Sequence, residues 1–169
     1  MTATKRLPAA VYAGPDLFER IIGVLALVLL AVVVVALIRG AAGWHEVAGI
    51  VWVHLLTITV ALVLTPVVLW RRRGDRRHRV TGYVWVMAMA LSALDSLAIR
   101  QIGNGRFSLI HILSVYTLGA LVWMIVCARR GDHAGHRGSI RGMVTGALLI
   151  AGSFTLIPSR LLGHWLFGG

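Results

Sequence analysis

Four histidines, His54, His78, His111 and His136, recur in two copies of one pattern. Aligned on the first histidine of each copy, His54-Leu-Leu-Thr57 matches His111-Ile-Leu-Ser114. An apolar run then leads in both copies to an Arg-Arg-Gly-Asp tetrad, Arg72 to Asp75 and Arg129 to Asp132, followed by His78-Arg79 and His136-Arg137. The offset is 57 residues up to the aspartate and 58 beyond it, so one inserted residue reconciles the copies. Neutral imidazoles are transition-metal ligands, and two that face each other can hold an iron porphyrin from both sides. Two imidazoles and a carboxylate suit a divalent ion instead. Asp95 is the one acid inside an apolar run, at a depth similar to His54 and His111. It is a candidate proton acceptor beside them, or the third ligand of a divalent-metal site with them.

The elements that must position these groups are membrane helices. Of the 169 residues, 58% are hydrophobic, and the mean hydropathy is +0.82, which places the chain among integral membrane proteins of one domain. Ile21 to Ile38 holds no charge or side-chain amide and would span about 27 Å as a helix, against a hydrocarbon core of about 30 Å. A cleaved signal peptide is the alternative, but this run is longer than the usual apolar segment of one. Further spans are expected at 47–70, 80–99, 108–128 and 142–158, with Pro66 kinking the second near its inner end. The expected fold is an all-α integral membrane protein of five transmembrane helices, in which helices 2 to 5 form a four-helix bundle built from two repeated hairpins. Residues 1–20 form a cytoplasmic tail, 21–38 the first helix, 47–158 the four-helix repeat core and 159–169 an interfacial C-terminal tail.

The net charge of +11 could suggest nucleic acid, but the arginines sit between apolar runs rather than along one soluble face. They read as topology signals, and nucleic acid is not an expected partner. Residues 1–20 and the two repeated turns hold thirteen of the seventeen lysines and arginines, which puts the N-terminus and both turns in the cytoplasm and the C-terminus outside. The expected location is the bacterial cytoplasmic membrane. The single cysteine, Cys127, excludes an intramolecular disulfide and a dithiol motif.

With that topology the histidines fall into two layers on the order of 20 Å apart, His54 with His111 near the outer face and His78 with His136 near the inner. Each layer holds one histidine from each repeat, on helices that run the same way, so the pairs can face each other across the bundle. Two layers give two haems and a route for electrons across the bilayer. One histidine on each of four successive helices, paired first with third and second with fourth, resembles the transmembrane cytochrome b(561) family. That resemblance, which covers residues 47–158, implies His54 and His111 as axial ligands of an outer haem b and His78 and His136 as ligands of an inner one. It implies an oxidoreductase moving electrons between a small donor and acceptor, with quinone a candidate. The ascorbate-site motifs of the eukaryotic members are absent, and the inner histidines lie in arginine-rich turns. A second resemblance, to a bacterial family of predicted membrane proteins of unknown function, rests on Arg76-Arg-His-Arg-Val-Thr-Gly82, Phe107-Ser-Leu-Ile-His-Ile-Leu-Ser114, Ala128-Arg-Arg-Gly-Asp132, His136-Arg137 and Ala151-Gly-Ser-Phe-Thr-Leu-Ile-Pro-Ser-Arg160. It implies no activity.

Plainer readings stand beside these. His54 and His111 could hydrogen-bond between helices, as could Thr57 and Ser114. His78 and His136 could meet anionic headgroups, and Asp95 could snorkel or pair with Arg100. His45, His133 and His164 suit loop or interface positions, the methionines packing, and the tryptophans, Trp44, Trp70 and Trp165 above all, interfacial anchoring. Membrane lipid is an expected partner in every reading, with a homodimer as an alternative assembly.

Overall fold

The computed structural model describes residues 14–99 and 109–168. Lys5, Arg6, Arg100, Arg106 and Ser108, which entered the expectations above, lie outside the described residues. The helices are α1 (Leu17–Arg39), α2 (Gly49–Trp70), α3 (Arg76–Ala98), α4 (Leu109–Arg130), α5 (His133–Met143), α6 (Ala151–Phe154) and α7 (Leu161–Phe167). A 3-10 helix, Ala41–Glu46, follows α1, and a π-helical segment, Val144–Ile150, joins α5 to α6. The protein is all-α among the described residues, and α1 to α4 are each long and apolar enough to cross a membrane. Leu56, Ile112, Val122 and many other large apolar side chains on these helices are exposed, as lipid-facing surface is and water-facing surface rarely is.

Helices α3 and α5 start earlier than their apolar runs, and the reason is the repeated tetrad. In both copies the glycine takes a left-handed conformation, φ +88° at Gly74 and +74° at Gly131, at no steric cost; Gly131 directly follows α4, whereas α2 stops at Trp70 with Arg71 extended and Gly74 turns the chain just before the next cap. The aspartate then caps the returning helix: Asp75 accepts from the His78 N–H and Asp132 from the Gly135 N–H at 2.9 Å. The charged residues after each aspartate are therefore helical, and His78 and His136 sit in first turns. His78 is three residues past its cap and His136 four, which rotates His136 by about 100° from the place His78 holds in α3. The chain then enters the π segment, whose turns close on the fifth residue instead of the fourth and so house one residue more. That absorbs the extra residue and offsets the phase shift for everything beyond it.

The helices pack in sequence order, α1 on α2, α2 on α3, α3 on α4 and α4 on α5, and α1 closes the ring against the π segment. Thus α1 is part of the bundle rather than an addition to helices 2 to 5. Its packing face is built of small residues that let neighbours approach. Ala26 and Ala36 are fully buried, and a Cβ on Gly23 would lie 2.7 Å from the Trp70 ring. Gly40 likewise accommodates Trp165 of α7, which folds back on α1. Trp70, still 38% exposed at the end of α2, and Trp165 therefore lie against α1, and Trp85 is fully buried. The indole N–H of Trp85 donates to the Thr65 hydroxyl at 3.0 Å, which itself donates to the Ala61 carbonyl at 2.7 Å, tying α3 to α2 at the residue before Pro66. Helix α2 runs through Pro66 to Trp70.

Candidate functional site

Toward the end of the bundle away from the repeated turns, the Nδ1–H of His54 donates to the backbone carbonyl of Ser92 on α3 at 3.1 Å, with the Ser92 hydroxyl 3.3 Å away. A carbonyl only accepts, so this contact makes Nδ1 the protonated nitrogen of the neutral ring and leaves the lone pair on Nε2. One turn along α2, the Thr57 hydroxyl bonds the His54 carbonyl at 3.0 Å and reaches the Asp95 carboxylate at 3.4 Å. His111 on α4 is 3% exposed, a depth at which an imidazole needs a reason to be present. Its neighbours Ser114 and Thr117 turn their hydroxyls back onto the Ile110 and Leu113 carbonyls and so add no polarity to the surroundings.

At the end of the bundle that holds the repeated turns, His78 and His136, from different repeats, lie within electrostatic range of each other. His136 donates from Nδ1 to the Met124 carbonyl on α4 at 3.2 Å, the same arrangement that His54 makes with Ser92, and its lone pair is likewise on Nε2. The Nδ1 of His78 is buried and has no hydrogen-bond partner. Of the four histidines, His78 and His136, from different repeats, are within electrostatic range of each other. His54 and His111 stand on α2 and α4, the two helices that flank α3.

Asp95 is on the same side of the bundle as His54, as its contact with Thr57 requires. Among the described residues no three His, Cys, Asp or Glu side chains gather as a metal ion would need, so His54, His111 and Asp95 do not form such a cluster. Two open grooves on the surface, one between α1 and α7 and one beside Ile150, Ser153 and Phe154, are lined by none of the four histidines.

The largest polar feature of the inner face was not singled out by sequence reasoning. Glu19, in the first turn of α1, is completely buried. Arg73 donates to both of its carboxylate oxygens at 2.6 Å, Arg137 donates at 2.7 and 2.9 Å, and Arg141 at 3.2 Å. Asp16 forms a reciprocal cap with Glu19 and pairs with Arg137 and Arg141. The Glu19 backbone N–H, then Arg141 and Arg137, hold the Asp16 carboxyl below the usual range. The signal was present as Asp16-x-x-Glu19 immediately before an apolar run, a capping-box spacing. This cluster joins α1 to both repeated turns, through Arg73 of the first and Arg137 of the second.

No protein-family model matches the chain, and neither a curated protein nor a solved structure does. What fold and composition define is a class, a multi-helix, multi-pass membrane protein. The likeness to the cytochrome b(561) architecture and to the bacterial family of unknown function rests on the sequence pattern alone.

Proposed function

We propose that the protein is a five-span transmembrane electron carrier of the bacterial cytoplasmic membrane that binds two b-type haems, an outer one at His54 and His111 and an inner one at His78 and His136. The fifth span is the unbroken helical stretch from His133 to Phe154, about 30 Å long. The observation that carries the reading is the inner pair: two imidazoles from different repeats within electrostatic reach, with the lone pair of His136 directed to Nε2 by the Met124 carbonyl and a buried ring nitrogen of His78 without a hydrogen-bond partner. An orphaned buried polar atom costs about 1–3 kcal/mol, and a metal centre is an acceptor for a lone pair so placed.

When bound, haem supplies one-electron chemistry. The chain's own contribution is orientation. The contacts to the Ser92 and Met124 carbonyls fix the tautomer and rotation of His54 and His136 and raise the basicity of the nitrogen left for a ligand. Around them the close packing runs between sequence neighbours, and the pairs α2 with α4 and α3 with α5 are not among the extensive contacts. Those are the helix pairs between which the two haems would lie. Asp95, with Thr57 beside it, is the acid nearest the outer site and would accept a proton coupled to electron transfer, from a quinone or another small reductant.

Purified in mild detergent from haem-replete cells, the protein is expected to carry about two haems b per chain with a low-spin, bis-histidine spectrum. A colourless protein overturns the proposal. Orientation is tested separately: after Cys127→Ser, a membrane-impermeant thiol reagent should label Arg72→Cys only from the cytoplasmic side and Glu46→Cys only from outside. The reverse pattern exchanges the compartments that the two haems face.

A second reading has its own observation. The His54 contact with Ser92 ties α2 to α3, and the His136 contact with Met124 ties α5 to α4, as interhelical hydrogen bonds do in a purely structural role. A well-folded protein without iron would favour it.

A further inference from the structure

Among the described residues, Arg71 is the arginine with a buried side-chain nitrogen that no hydrogen bond answers. Arg73, Arg137 and Arg141 converge on Glu19 and Asp16. Arg71 does not join them. It ends α2, where its backbone N–H is bonded to the Val67 carbonyl at 3.2 Å, and its half-buried side chain has an Nε that is buried with no hydrogen-bond partner. It lies within electrostatic range of His78. Asp75, the one acid in the same turn of sequence, is already committed to the His78 backbone N–H as the cap of α3.

A guanidinium cannot relieve burial by losing its proton, so a buried Nε–H calls for an acceptor. Its Nε and Nη donors form a planar fork that matches two oxygens of a carboxylate or phosphate. We propose that Arg71 forms an oxyanion site at the inner end of α2, filled by a carboxylate or phosphate group presented at the membrane interface. Two sources offer that chemistry there. One is the propionate of a haem held at His78 and His136, which rests on the function proposed above; the other is the phosphate of an anionic lipid, which does not.

The test uses the full chain in a neutral detergent, titrated with haem b, haem b dimethyl ester, phosphatidylglycerol and phosphatidylcholine. Arg71→Gln is compared with Arg72→Gln, an exposed neighbour that controls for net charge. Arg71→Gln should weaken binding of haem b or of phosphatidylglycerol by about tenfold or more, while Arg72→Gln changes either by less than about twofold. If the propionate is the occupant, the dimethyl ester should bind the natural protein as weakly as haem b binds Arg71→Gln. If the lipid is the occupant, phosphatidylglycerol loses affinity and phosphatidylcholine does not change. Should Arg71→Gln fail to fold, Arg71→Lys keeps the charge, loses the fork and should weaken the same ligand, with Arg72→Lys unaffected. Binding of both anionic ligands that is indifferent to Arg71 overturns the site. Arg71-dependent lipid binding in a chain that takes no haem leaves the oxyanion site standing and removes the electron carrier; tight haem binding indifferent to Arg71, with lipid binding equally indifferent, does the opposite.

Discussion

Glu19→Gln should lower the apparent melting temperature by roughly 6–12 °C, the largest stability loss of any single charge on the inner face. The carboxylate is completely buried, and its two oxygens take all the donors that Arg73, Arg137 and Arg141 direct at it. An amide of the same shape keeps one acceptor oxygen and presents an N–H₂ to guanidinium groups. Three arginines, with side chains only 19 to 28% exposed, are then left without their common counter-charge. Removing one partner from a buried ion-pair network costs about 3–5 kcal/mol, far more than an exposed pair contributes. A drop of about 3 kcal/mol in a chain of this length corresponds to the shift given. The exposed pair of His45 and Glu46 is the internal control, and Glu46→Gln should move the melting temperature by no more than about 2 °C. Equal shifts for the two variants would show that α1 is held by its small-residue packing face and not by this carboxylate.

The contrast between Glu19 and the histidines separates what was legible in the sequence from what was not. The four long apolar helices could be read because lipid imposes a length and a composition on each, and those are local properties. The repeated tetrad can be read as a turn because glycine and aspartate each do one local job, reversing the chain and capping the next helix. What it means for α3 and α5 is less visible. An apolar run marks where a helix enters lipid, not where it starts, so sequence alone assigns the arginine-rich first turns to connections, with His78 and His136 at the helix openings. The π segment that absorbs the inserted residue has no composition signal, since Val144–Ile150 is as apolar as any other stretch. Glu19 was hidden for a different reason. Its capping spacing is local, but its burial depends on Arg73, Arg137 and Arg141, which lie 54 to 122 positions away. The tryptophans divide the same way: Trp70 and Trp165 lie against α1 because its glycines leave room for them, and only the fold brings those partners together.

Replacing the histidines one at a time should produce two groups rather than four independent losses. If His54 and His111 are the two axial ligands of one iron, His54→Ala and His111→Ala should each abolish the same haem's low-spin signature, because loss of either ligand opens one face of the same iron. His78→Ala and His136→Ala should each abolish the other's. Haem content should fall from about two per chain to about one in every single variant, and stay at about one in the double variants within a pair. The structural reading predicts a different grouping. His54 ties α2 to α3 through Ser92 and His136 ties α5 to α4 through Met124, so their loss would appear as separate, additive stability changes in different parts of the bundle. The inner pair is the sharper test, because its two members lie within electrostatic range while coming from different turns. Disruption of a single cofactor by both His54→Ala and His78→Ala, which belong to the same hairpin, would mean that ligation occurs within a repeat and would dissolve the two-layer arrangement.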